Sequence, residues 1–325
     1  MNPSFFKNLG PINVTTIKKH IDCDVHGLSD ETNFVDFSSI QTLKKNTLSF
    51  LVDGEFSTKT KYNEGTIICS DSTRKKFNGD NALILVKDVQ LSVAILSHVF
   101  YRSFHSDEID ELHKPIIGSN CKIANTAIIE NGAVIGKNVN IAHGCVVGFN
   151  SIIGDNTSID CNSIITNSII AEKVKIGRNC SIGQQGFGFA MINGNNINIF
   201  HKGRVILQTG VNIGSMCTVD RGSFKDTVIG ENTFFDNLCH IAHNVTVGNN
   251  CAFAAMSGIA GSATVGNNVM AGGQSGIAGH LNIGNNVKIA AQSGVLTDLN
   301  DNKSVMGHPA INKFQYIKNY KKIYD

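Results

Sequence analysis

Two histidines and two glycines mark where this chain is expected to do chemistry. His243, Gly261 and Gly279 follow one another at intervals of eighteen residues, and His280 adjoins the last of them. A neutral imidazole accepts a proton near physiological pH. A glycine N–H carrying no side chain beside it can donate to a developing oxyanion. Together they form a base and an electrophile stabiliser, provided that an eighteen-residue interval brings them to one place.

The surrounding sequence supplies that condition. From Ile229 to Val295 every sixth residue is apolar, in the order Ile229, Phe235, Ile241, Val247, Phe253, Ile259, Val265, Ala271, Ile277, Ile283, Ile289 and Val295. The fifth letter of the hexad is small, as in Cys239, Cys251, Ser257, Ala263, Ser275 and Ser293. Such a repeat fixes the architecture before any local secondary structure is assigned. It predicts a mostly β protein, a left-handed parallel β-helix with triangular coils of three hexads. Residues eighteen apart then stack on neighbouring coils at about 4.8 Å. His243, Gly261, Gly279 and His280 fall on one outward-facing edge. The sixth letters His240, Gly258, Gly276 and Gly294 form a second column. Its three glycines predict a strip of bare backbone, a side-chain-free groove beside the reactive edge that is placed with the substrate-binding residues.

The repeat also extends backwards. Hexads begin at Ile117, Ile123 and so on to Ile165, slip near Ile170, and resume at Ile176 and Ile182. Gln184 to Arg204 breaks the pattern with Gly186-Phe187-Gly188-Phe189-Ala190 and an Asn/Gly-rich tip. Long excursions from a solenoid usually lie on its binding face. Hexads return at Leu207, Ile213 and Val219 and slip again after Asp220-Arg221-Gly222. The β-helix is therefore expected over 116–305, in about ten coils. Residues 1–112 lack the period and read as a small α/β domain. Strands are expected at Leu48–Val52, Thr66–Cys69 and Ala82–Val86, with a helix from Asp88 to Phe104 that carries Leu91, Ile95, Val99 and Arg102 on one face. Residues 309–325 read as a short amphipathic helix with a basic face.

Composition narrows the function classes. A formal charge of +2 over 325 residues argues against general nucleic-acid or membrane-surface binding. The N-terminal stretch has no apolar run of signal-peptide length, and none approaches a membrane span. A cytoplasmic protein without stable membrane insertion is expected. Six of the nine cysteines, Cys121, Cys145, Cys180, Cys217, Cys239 and Cys251, hold the small fifth position, and no CxxC pair exists. They read as core residues, and no metal site is expected.

Several motifs follow one another in a specific order: Phe187-Gly188-Phe189-Ala190, Thr218-Val219-Asp220-Arg221-Gly222, Asp236-Asn237, Ile241-Ala242-His243-Asn244, Ile259-Ala260-Gly261-Ser262, and Gly272-Gly273-Gln274 through Ile277-Ala278-Gly279-His280. This order resembles the UDP-3-O-(3-hydroxyacyl)glucosamine N-acyltransferases of lipid A synthesis. The resemblance implies a homotrimer with active sites between subunits. It implies transfer of a 3-hydroxyacyl chain from acyl carrier protein to the 2-amino group of a UDP-linked, 3-O-acylated glucosamine. No cofactor is implied beyond the 4′-phosphopantetheine that the carrier brings. The family's base maps onto His243, its second active-site histidine onto His280 and its oxyanion donor onto Gly261. Substrate contacts map onto Asp236, Asn237 and His240. Uracil would lie between Phe50 and Phe56, with Asp53 where the family's Phe-x-x-Asn-x-x-Tyr motif has Asn. His201-Lys202 replaces the family's usual Pro-Gln.

Three other readings fit parts of the pattern. An O-acyltransferase acting on UDP-N-acetylglucosamine shares the repeat but not the N-terminal domain or Asp220-Arg221-Gly222. A metal-dependent enzyme of the γ-carbonic anhydrase type would use His240, His243 and His280 across two subunits. A non-enzymatic solenoid would leave the histidine edge without a purpose.

Overall fold

A two-residue strand buries one side chain and exposes its neighbour, so each hexad gives the core one aliphatic residue and the surface another. The computed structural model describes residues 4–52, 64–75, 81–192, 194–307 and Asn319. Between Ile116 and Val305 it forms three parallel sheets of nine, ten and nine strands. The first face starts at Ile116–Ile117, the second at Lys122–Ile123 and the third at Ile128–Ile129. Neighbouring coils pair in register at the expected interval, as His240↔Gly258, Gly258↔Gly276 and Gly276↔Gly294. The inward residues form one continuous core from Ala133 to Val295. Within it Phe235 and Phe253 stack 4.7 Å apart, inclined by 9°.

The corners explain the recurrent Asn. The fourth residue of most hexads turns through a left-handed backbone, and Asn tolerates that conformation better than other side chains. Asn120, Asn138, Asn156, Asn232, Asn250 and Asn268 all sit there, with φ between 53° and 60°. Five of the six fifth-letter cysteines are buried and Cys121 is partly so, with Cys145 donating to Asp160 O and Cys217 to Asp236 O. All nine cysteines are free.

Both phase slips build something. At the first, Ile152 pairs with Ile169 rather than with a residue eighteen along. The Gln184–Arg204 excursion holds an antiparallel hairpin, Phe189–Ile192 with Asn195–Asn198. The second slip carries Phe224, whose ring packs 4.8 Å from Phe37 and 5.2 Å from Phe50 of the N-terminal region. Phe200 and Phe224 are buried in the N-terminal core, so both irregular segments bind the two parts of the chain together.

The N-terminal region is a five-stranded sheet in the order Asp24–His26, Ala82–Leu85, Thr66–Cys69, Thr47–Phe50, Asp36–Phe37, parallel except at the first strand. Its helix runs Val89–Phe100, capped by Asp88 accepting from Leu91 N. That corrects the expected helix to Phe104 in both length and face. Tyr101–Arg102 is a strand paired with Lys7–Asn8. The buried row is Val89, Val93, Leu96 and Phe100, clustered with Leu48, Ile68 and Ile84 of the sheet, while Leu91, Ile95 and Val99 are half-buried. The sequence pattern misleads because the helix is covered on a second side. Gln90 donates to Phe189 O, and the His98 ring meets Asn198 O, so the hairpin lies across it. The expected helix over 309–325 lies outside the described residues.

Candidate functional site

The chain turns from the third face to the first through Ala242-His243-Asn244. The register places Gly261 and Gly279 above His243, and His280 above Ser262 and Asn244. The edge is assembled as its spacing predicts, with one correction. His243 does not project into solvent. Its ring is half-buried, because the excursion folds back over it. A Cβ built on Gly186 would lie 2.7 Å from His243 Cβ, and one on Gly261 would lie 2.8 Å from both Cε1 and Nε2. The imidazole is thus held between two stretches of bare backbone.

This enclosure sets its electrostatics. Burial pushes the His243 imidazole below its ordinary range, the Phe187 backbone opposes that, and His280, His240 and Lys225 reinforce it. The neutral, basic form is favoured at neutral pH. Nδ1 is buried without a hydrogen-bond partner among the described residues. The Gly261 N–H also donates to no group among them, although Gly261 O accepts from His280 N at 3.0 Å. His280 itself is exposed.

The Gly261 contact leads to a direct expectation. Gly261→Ala would place a methyl inside the van der Waals radius of the His243 ring and displace it. A misplacement of that order lowers turnover by about 100-fold, with the thermal melting of the fold little changed. A variant with unaltered steady-state kinetics would show that the ring's seat is irrelevant to activity.

His240 lies on the third face beneath the glycine column. Its Nδ1 is 2.6 Å from Thr218 Oγ1, and its Nε2 is 3.8 Å from Asp220 Oδ2. Asp220 is buried and accepts from Gln184 Nε2 at 2.6 Å. Burial raises its carboxyl above the ordinary range, against the pull of His240, Gln184 and Arg221. No side chain stands near Gly258, Gly276 or Gly294, where an added Cβ would meet nothing within 4 Å. The bare strip is present, and packing does not require it.

Other expected residues are not gathered here. Asp236 and Asn237 occupy the preceding corner, between the second and third faces. There Asp236 Oδ1 accepts from Asn237 N at 2.7 Å, and Asn237 Oδ1 accepts from Ser215 N at 2.8 Å. Within one chain they do not meet His243. Phe50 is half-buried in the N-terminal core, set edge-on to Phe37 and Phe224. Asp53 and Phe56 lie outside the described residues. Among the described residues no three His, Cys, Asp or Glu side chains converge as metal ligands, and no helix is long and apolar enough to cross a membrane.

Sequence reasoning did not single out His201 as part of the site. It ends the excursion, is fully buried, and its ring centroid lies 5.2 Å from that of His243. The available signal was its type: histidine, then lysine, where the excursion rejoins the coils.

Comparison with known proteins bears on this geometry. Residues 226–261 match the bacterial transferase hexapeptide family (six repeats). Residues 112–220 match the family described as GMPPB C-terminal domain. Over the C-terminal region the chain is 48% identical across 83 residues to a UDP-3-O-acylglucosamine N-acyltransferase from Methylorubrum populi, covering 26% of this chain and 24% of that protein. A protein of the same name from Maricaulis maris is 47% identical over 78 residues, covering 22% of this chain and 23% of its own. Over that stretch the chain is similar to these acyltransferases. The match spans about a quarter of their length. Among solved structures, UDP-N-acetylglucosamine acyltransferase from Campylobacter jejuni aligns over 62% of this chain and 83% of its own, with 23% identity and a TM-score of 0.52. LpxA from Acinetobacter baumannii aligns over 61% and 77%, with 25% identity and a TM-score of 0.53. These likenesses establish the fold, the left-handed β-helix that the repeat implies.

Proposed function

We propose that this protein transfers a 3-hydroxyacyl chain from acyl carrier protein to the 2-amino group of UDP-3-O-(3-hydroxyacyl)glucosamine. The observation that carries the reading is the His243 ring seated against the Gly261 backbone, whose N–H has no acceptor among the described residues. His243 takes the proton from the amine as its nitrogen bonds to the thioester carbonyl carbon. The Gly261 N–H stabilises the resulting oxyanion. Collapse breaks the carbon–sulfur bond, and the protonated imidazole returns its proton to the departing pantetheine thiolate. His280, exposed at the same edge, and His240 are placed to meet polar parts of the two substrates. Phe50, with Asp53 and Phe56, is assigned to the uridine.

The working unit in this reading is a homotrimer. Three successive coils put Met216, Leu238 and Met256 at left-handed corner positions, with φ of 59°, 62° and 62°, where Asn is usual. All three are exposed in the single chain. Large side chains strain that conformation, and covering them against a second copy offsets the cost. Such packing would also bring Asp236 and Asn237 of one subunit towards the His243 edge of the next.

Incubating the protein with a 3-hydroxyacyl carrier thioester and UDP-3-O-acylglucosamine should yield the amide, detected by mass. Acylation of UDP-N-acetylglucosamine instead would favour the O-acyltransferase reading, and no product from either acceptor would overturn acyl transfer. The glycine strip adds a specificity expectation. If Gly258, Gly276 and Gly294 floor the acyl channel, Gly294→Met should block its end and shift preference towards shorter donors. One blocked methylene corresponds to about 1–3 kcal/mol of discrimination. An unchanged ranking in competition between short and long donors would place the channel elsewhere.

A further inference from the structure

His201 is fully buried beside His243, and nothing in the reaction above uses it. Its Nδ1 accepts a hydrogen bond from Gly186 N at 3.2 Å. In the neutral ring the proton is therefore on Nε2, which has no partner among the described residues. An unsatisfied buried N–H is unfavourable, and an apolar ring of similar size would avoid it. What the imidazole offers that a phenyl ring cannot is the Nδ1 acceptor. That acceptor holds the backbone of Gly186, the residue pressed against His243 Cβ and Cδ2. Gly188 gives way to the same ring, since a Cβ there would lie 2.6 Å from His201 Nε2.

The segment carrying His201 is fixed from four sides. Phe200 N donates to Ser97 Oγ at 2.8 Å, and Arg221 Nε donates to His201 O at 2.9 Å. Lys202 Nζ donates to Asp36 Oδ1 at 2.6 Å and Tyr101 Oη at 2.7 Å. His201 is thus the rigid end of a strut running from the N-terminal region to the excursion. Gly186 and Phe187 are the part of the excursion that covers His243.

We propose that His201 is a positioning residue for His243, acting through the Gly186 N–H to keep the excursion closed over the His243 ring. The proposal rests on the reading of His243 as the base. It requires an acceptor at position 201, not merely a filled volume. His201→Phe fills the space but cannot accept, so the excursion lifts and water reaches the ring. His201→Gln restores an acceptor. Gly186→Ala pushes the excursion away from both rings, since its Cβ would also lie 3.1 Å from His201 Cε1, and keeps the imidazole at position 201.

The direct test follows the His243 imidazole by NMR in histidine-labelled protein, assigned with a His243→Gln variant. The charged or titratable groups around the ring, His201, His240, His280 and Lys225, are otherwise unchanged in the Gly186 variant. Opening relieves burial, so the His243 titration should move up by about 0.5–1 pH unit in His201→Phe and Gly186→Ala, and return in His201→Gln. The acid limb of kcat/KM should move with it, with kcat about ten-fold lower and KM little changed. Titration curves in the Phe and Ala variants that overlay the parent would overturn the proposal. If His201→Phe does not fold, His201→Leu, which also lacks the acceptor, takes its place beside Gly186→Ala. A shifted titration in a protein that makes no amide supports the positioning role and sinks the acyl-transfer reading instead.

Discussion

Replacing His243 by alanine is expected to lower the rate of N-acyl transfer by about two to four orders of magnitude, the usual contribution of a general base. Without the imidazole, the amine must give its proton to water as it attacks the thioester, in a cleft that burial has made less polar. The residual rate would come from the Gly261 N–H and from substrate orientation, neither of which the substitution removes. Because the ring is wedged between Gly186 and Gly261, its loss also leaves a gap beneath the excursion. Turnover must therefore be compared with a His243→Gln variant, which keeps the volume. Both should lose kcat and retain the melting profile of the parent to within a few degrees. Activity within a few-fold of the parent in either variant would remove His243 from the base's role.

The β-helix was readable from the sequence because its code is one-dimensional. An apolar first letter, a small fifth letter and Asn at the left-handed corner each follow from a two-residue strand and a tight turn. The column of His240, Gly258, Gly276 and Gly294 followed from counting alone, and the structure pairs those residues in that register. Counting also places Asp236-Asn237 one face apart from His243 within one chain, while their assignment to substrate comes from motif order, which carries no geometry. Where the period breaks, no counting rule applies. The return of the excursion onto His243 is a long-range contact with no periodic signature, so His201, Gly186 and the true burial of His243 were hidden. Phe224 was hidden for the same reason, being a single aromatic in a slip of the repeat. The inner face of the Val89–Phe100 helix was misread because periodicity assumes one covered side, and this helix has two.

The breaks in the repeat are thus where the candidate site is built. The regular coils supply bare backbone and an edge. The excursion supplies the enclosure that pushes the His243 imidazole below its ordinary range, and Lys202 ties that enclosure to Asp36 and Tyr101 in the N-terminal region. A uniform solenoid with the same four edge residues would leave the imidazole in water, titrating as a free histidine does.

Acidification from pH 7 to pH 5 is expected to destabilise the parent protein by about 2 kcal/mol more than a His201→Gln variant. Burial pushes the His201 imidazole from its ordinary 6.5 down to about 3, with His243 and Arg221 adding to the effect. Between those two values the unfolded chain binds a proton at this position and the folded chain does not. Stability contributed by the neutral ring is therefore complete above the ordinary value and declines as pH falls through the window. Glutamine does not titrate, and it can still accept from Gly186 N–H, so the variant loses this dependence without losing the contact. Carboxylates and the other histidines respond to pH in both proteins, and their contribution cancels in the difference. Denaturant unfolding at the two pH values, at equal protomer concentration because association stabilises the fold, gives the quantity directly. Equal losses in parent and variant would mean that His201 takes up its proton within the folded state, so that burial does not hold it neutral.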